Sequence, residues 1–208
     1  MKRFTILALI FALAPCRMLP AEDIATQTFS VEEAHLTLRL PTDWIKMPER
    51  ALDKFRQSVA GTAPGLKSNY VAGFAGPRPP ANTPLTLLFV QVFPPDFTPQ
   101  VFLSSLQAAK QAVAAADPGL GLQNSAPYVN REIGAVVTPG RTQTGTSGRS
   151  YTIPTSQGVI AIDLYCPTGA ADRTFHTVES CLKKINLVGG VEPNKKWLDE
   201  FDSAAKAK

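Results

Sequence analysis

The sequence predicts an α+β domain, a mostly antiparallel sheet of about six strands packed between helices. Three observations point to it. Short segments with alternating or continuous apolar residues recur between Phe29 and Cys166, each bounded by Pro, Gly or charged turn residues. Two other segments, from 99 to the Asp117-Pro118-Gly119 stop and from 172 to 185, carry their apolar residues at helical spacing. The segments 133–137, 149–153 and 159–166 follow one another with no helix between them, as in an antiparallel meander.

The chain opens on a leader, residues 1–21. Lys2 and Arg3 precede an apolar run from Phe4 to Ala14, and Ala21 offers a small-residue exit. This pattern predicts a secretory signal peptide, because eleven residues fall well short of the roughly 20 needed to span a bilayer. Cys16 suggests lipid anchoring as a competing reading, but Pro15 stands where such signals carry Gly or Ala, so soluble export to the periplasm or the medium is expected. Residues 22–188 form the predicted domain and 189–208 a C-terminal helical tail.

The domain begins with a hairpin. Phe29 and Val31 alternate with polar neighbours, Glu32-Glu33-Ala34 turn, and Leu36, Leu38 and Leu40 resume on alternate positions. Pro41 stops the second strand, and Pro48-Glu49-Arg50-Ala51 opens a half-exposed helix to about Val59. Tyr70 to Ala75 is a strand, and a Pro-rich connection leads to Leu85–Phe93, whose nearly continuous apolar character predicts a central strand covered on both faces. Thr98-Pro99 supplies an N-cap and a proline at the first helical position, and Phe102, Leu106, Ala109 and Val113 continue that helix to Asp117. After the meander, Phe175, Val178, Leu182 and Ile185 share one face of a returning helix. Asn194 caps a terminal helix carrying Trp197, Leu198 and Phe201 on one side.

Charge narrows the choice of partner. The full chain has a formal net charge of +4, but three of its 21 basic residues (Lys2, Arg3, Arg17) fall in the leader, leaving 18 against 17 acidic residues and a net charge of +1. A nearly neutral domain has no electrostatic footprint for nucleic acid. Of three cysteines only Cys166 and Cys181 remain after the leader. In an oxidising compartment they form either a disulfide, worth about 3 kcal/mol for a loop of about 15 residues, or two buried thiols, and geometry decides between them.

No catalytic constellation emerges. The two histidines, His35 and His176, lie off the apolar faces of their elements, and Gly145-Thr146-Ser147-Gly148-Arg149 misses the nucleophile-elbow spacing by one residue. Two histidines and a cysteine pair do not supply a zinc set, and there is no phosphate-binding glycine motif, so no cofactor or metal is expected. Asp163 reads as the outward phase of a strand. The polar stretch from Gly140 to Arg149 reads as a mobile hairpin tip whose Arg141 and Arg149 are candidate partner contacts. Trp197 and Phe201 either pack on the domain's own surface or dock to a partner.

The order hairpin, Leu40-Pro41-Thr42-Asp43-Trp44 corner, helix, strand ending Val71-Ala72-Gly73-Phe74, central strand, helix, meander and closing helix resembles the PsbP-like α/β/α sandwich family. The likeness runs from about Phe29 to Leu187, with its clearest marks at Leu40 to Trp44 and in the ending of a strand (159–166) followed by a helix (175–185). The resemblance implies a non-enzymatic binding or assembly module, as in photosystem extrinsic proteins, a nuclear import factor and exported bacterial proteins. It supplies no metal or partner residue for this chain. The expectation is therefore an exported, non-catalytic domain with an unidentified protein partner. An envelope enzyme using Asp163, Tyr165 and Arg149, or a small-molecule or lipid carrier, is the alternative.

Overall fold

The structure, a computed structural model, describes residues 25–62, 69–81, 83–116, 126–141 and 145–206. The expected leader, with Cys16 and the expected cleavage after Ala21, lies outside the described residues.

The N-terminal hairpin forms as its alternation predicts. Strand β1 (Thr26–Val31) pairs antiparallel with β2 (Leu36–Pro41). A single 3-10 turn (Glu32–Ala34) joins them and is closed by His35 in the left-handed conformation, φ 47°. The alternate leucines of β2, Leu36, Leu38 and Leu40, are fully buried. This hairpin does not join the main sheet. It completes a separate three-stranded sheet, in the order β1-β2-β10, with the two-residue strand β10 (Asn186–Leu187) from the other end of the chain.

The main sheet has seven antiparallel strands in the order β3-β4-β5-β9-β8-β7-β6. They are β3 (Ile45–Lys46), β4 (Tyr70–Ala75), β5 (Leu87–Phe93), β6 (Tyr128–Asn130), β7 (Ala135–Arg141), β8 (Thr146–Thr155) and β9 (Gly158–Pro167). The meander is thus longer than predicted. Much of the stretch expected as a mobile tip is paired strand: Gly140 opposes Gly148, and Arg141 opposes Ser147. Hydroxyl-rich sequence, weak in apolar signal, still forms ladder bonds when both neighbouring strands are already aligned. The two-residue link Ser156-Gln157 then turns β8 into β9, and Gly158 follows at φ +135°, where a Cβ would collide with the Phe93 carbonyl oxygen.

Both faces of this sheet are covered, by different partners. One face presents Leu88, Val90, Ile162, Leu164, Tyr151 and Val137 to the small sheet and to helix α3 (Ala171–Leu182), which bears Phe175, Val178 and Leu182. On the opposite face lie α1 (Glu49–Thr62), α2 (Pro99–Ala116) and α4 (Lys195–Lys206). Their side chains meet the other phase of the strands: Phe55 stacks on Phe89 at 3.9 Å between ring centroids, while Trp197, Leu198 and Phe201 pack with Val136 and Val159. Helix α2 starts as predicted, with the Val101 amide donating to Thr98 Oγ1 at 3.3 Å. The segment expected as a tail therefore supplies part of a second core.

Candidate binding cleft

An open cleft of about 650 Å³ lies where the ends of both sheets meet the C-terminal part of the chain. Three walls define it. The first is the end of α3 and the segment into β10, with Leu182, Lys183, Ile185 and Leu187; the second is the β6–β7 turn from Arg131 to Gly134; the third is the approach to α4, with Val191, Pro193, Lys195 and Leu198. Each wall is placed by a local device. The Asn130 side chain accepts from the Glu132 and Ile133 amides at 3.1 and 3.3 Å, which fixes the β6–β7 turn. Gly189 and Gly190, both at positive φ (69° and 75°), turn the chain back after β10. Asn194 Oδ1 accepts from the Trp197 amide at 3.1 Å and so caps α4.

The floor is apolar and the rim cationic. Ile153 and Leu182 belong to one core and Leu198 to the other, all nearly inaccessible, and the half-buried Ile185 and Leu187 give the floor its open apolar surface. Arg131, Lys183 and Lys195 stand on the rim against one carboxylate, Glu132. Lys183 Nζ bonds Glu132 at 2.5 Å, and this hydrogen bond with its charge holds the Glu132 carboxyl below the usual carboxylate range. Arg131 pairs with Asp199 at 3.0 Å. Lys195 has no carboxylate partner among the described residues.

The residues singled out from sequence fall elsewhere. Arg149, a candidate partner contact, sits in mid-strand and is engaged inward: Nη1 donates to Glu179 Oε1 at 2.6 Å, and its guanidinium lies 4.2 Å from the centroid of the Phe175 ring. Tyr151 donates to the same carboxylate oxygen at 3.0 Å, so the trio anchors α3 to the sheet. Trp197 and Phe201 are buried in the second core. The indole nitrogen donates to the Phe97 carbonyl at 2.9 Å, and the two rings stack with centroids 6.0 Å apart. Arg141 is placed by its backbone, as the last residue of β7.

Cys166 and Cys181 are separate buried thiols, so the disulfide that the sequence allowed is not formed. The reason is a matter of helix turns. Cys166 shares a hydrogen bond with Thr174 in the first half of α3, whereas Cys181 lies seven residues further along that helix. Seven residues advance the axis by about 10 Å, so Cys181 stands about two turns along the helix from the residue that Cys166 contacts. Burial pushes both thiols up from their ordinary value, away from thiolate chemistry.

The triad considered for an envelope enzyme does not converge. Asp163 and Tyr165 face the helices α1, α2 and α4, while Arg149 faces α3 across the sheet. Asp163 is also not the solvated residue that its outward phase suggested. It is buried, with Gln91 Nε2 donating to Oδ2 at 2.5 Å and Ser150 also hydrogen-bonded to it. Burial raises its pKa, and the hydrogen bonds of Ser150 and Gln91 oppose that shift. The outward phase is a second core face, a possibility that alternation alone does not reveal. Among the described residues no group of three or more His, Cys, Asp or Glu is placed to hold a metal ion, and no helix is long and apolar enough to cross a membrane.

Sequence reasoning missed the cleft altogether. Its walls come from three stretches of chain, and the lone local sign was the pair Lys195-Lys196 opening a helix without an acidic residue in its first turn.

No family model and no curated protein matches the chain. Among solved structures it is similar to cyanobacterial PsbP (CyanoP) from Synechocystis sp. PCC 6803, at 12% identity and a TM-score of 0.49, covering 84% of this chain and 98% of that one. It is also similar to LpqN of Mycobacterium tuberculosis, a protein involved in cell envelope biogenesis, at 14% identity and a TM-score of 0.42, covering 76% and 83% of the two chains.

Proposed function

We propose that the chain is an exported, non-catalytic binding module of a bacterial envelope, an accessory or assembly domain that holds a partner rather than transforming a substrate. The observation that carries this reading is the cleft: an apolar floor continuous with both cores, under a rim of Arg131, Lys183 and Lys195. Its volume falls in the range of ligand sites. Its polar side chains are suited to recognition, since a Lys–Glu pair, an Arg held by Asp199 and a Lys with no carboxylate partner among the described residues place charge round an apolar floor. Export is supported by Lys2, Arg3, the apolar run Phe4 to Ala14 and Ala21.

The test is affinity capture from envelope extract with the wild-type protein and with the double variant Arg131→Glu, Lys195→Glu. A partner retained by the wild type and lost by a variant of equal thermal stability supports the cleft as the binding surface. Identical capture by both removes it. The intact mass of the secreted protein tests export separately, by fixing cleavage after Ala21 or an acylated Cys16.

A further inference from the structure

We infer that the cleft receives an extended peptide segment with alternating apolar side chains and one acidic residue, which adds as a fourth strand on the free edge of β10 and sets its carboxylate against Lys195. The inference rests on the cleft being a binding site and specifies what it binds.

The backbone of β10 carries the first half. Asn186 opposes Thr37 and Leu187 opposes Leu36, and the Val188 amide donates to the His35 carbonyl at 2.9 Å. In an antiparallel pair, alternate residues direct both their N–H and their C=O at the partner strand. Residues 186 and 188 therefore face β2, and Leu187 turns its N–H and C=O away from β2; Leu187 is also one of the residues that line the cleft. No described strand occupies that side, because β10 ends its sheet. Such an edge is a template for another chain. The Leu187 side chain packs on the main core, so a residue laid opposite it would rest on the same apolar floor.

Charge carries the second half. Arg131 and Lys183 are already paired with Asp199 and Glu132, and Lys195 remains. It stands in the first turn of α4, where the helix presents its positive end and a lysine is disfavoured. The ammonium at the positive end of that helix favours an anion. A fatty-acyl carboxylate would satisfy Lys195 and the floor but would leave the Leu187 N–H and C=O without partners. A neutral strand would do the reverse. An acidic extended segment answers both.

The experiment selects a phage library of random linear peptides of about twelve residues on the full chain, with counter-selection on the Lys195→Glu variant. Synthetic peptides of the enriched sequences are then titrated while amide hydrogen exchange is followed, and oleate is titrated in parallel. The expected result is enrichment of alternating sequences bearing Asp or Glu, with affinity falling about tenfold in Lys195→Glu and in high salt. Binding should protect the Leu187 amide and should be abolished by N-methylation of the peptide residue that pairs with it. Enriched sequences lacking an acidic residue, affinity indifferent to N-methylation, or protection elsewhere would overturn the inference. Saturable oleate binding with no selected peptide overturns strand addition and leaves the cleft a binding site. Failure of both arms overturns the cleft as well.

Discussion

Asp163 is the side chain whose environment departs furthest from what its type prefers. Its carboxyl sits in the second core, among the neutral donors Gln91 and Ser150 and near the Tyr70 and Tyr165 rings, whose own pKa values burial raises. The next side chain in that row across the sheet, Thr138, has a buried hydroxyl with no hydrogen-bond partner among the described residues. With no cation acting on it among the described residues, burial disfavours ionisation in the folded chain. The folded pKa therefore lies above the unfolded value of about 3.9. Such a group contributes stability that is fully present below the unfolded pKa and is lost as pH rises through the folded one. Asp163→Asn keeps the shape and removes the titration, so it should gain stability relative to the wild type as pH is raised. The check is the urea midpoint of both proteins across the acid-to-neutral range. A difference that stays constant with pH would mean that the carboxyl ionises as freely in the fold as outside it.

At the scale of elements, what ties α3 to the sheet is a partly buried charge pair, whereas the rim of the cleft is bridged by exposed ones. Arg149 and Glu179 are 27% and 20% exposed, against 61% and 63% for Arg131 and Asp199. A pair at the surface contributes ~0–1 kcal/mol, while a charged hydrogen bond screened from water, with a ring beneath the guanidinium, contributes about 1.5–3 kcal/mol. Arg149→Ala should accordingly cost at least about 1 kcal/mol more than Arg131→Ala in denaturant unfolding. Equal losses would demote the trio of Arg149, Tyr151 and Glu179 to an incidental surface contact. The same contrast explains what the sequence could and could not disclose. The leucines of β2, the Thr98-Pro99 start of α2 and the apolar run of β5 announce themselves because their signals are local in period or in capping. Strands β3 and β10, two residues each, and β6, of three, carry no period to detect and exist because a longer strand lies beside them. The hydroxyl-rich stretch around Arg149 gives no local hint of Glu179, thirty residues away, which holds its guanidinium.

For the described residues as a whole, the consequence is that the first hairpin and the last helix lock into the middle. The hairpin at the start pairs with β10, and α4 at the end closes the second core against α2, with Phe102 meeting both Trp197 and Phe201 edge-on. One sheet thus separates two apolar clusters, and its central strands are dry only when both coverings are in place. Removing α4 would bare Val136 and Val159 together with Phe93, Phe97 and Phe102, a contiguous aromatic patch of the kind that soluble monomers rarely expose. Deletion of residues 189–208 should therefore abolish the cooperative unfolding transition and produce a dye-binding, aggregation-prone chain, where loss of a mere tail would leave the urea midpoint unchanged. Because truncation also removes one wall of the cleft, the point variant Trp197→Ala separates the two effects. Loss of a buried indole and its bond to the Phe97 carbonyl should cost about 3–5 kcal/mol while leaving the Arg131, Lys183 and Lys195 rim in sequence. If Trp197→Ala costs less than about 1 kcal/mol, the second core does not depend on α4, and the C-terminal segment is a detachable appendage after all.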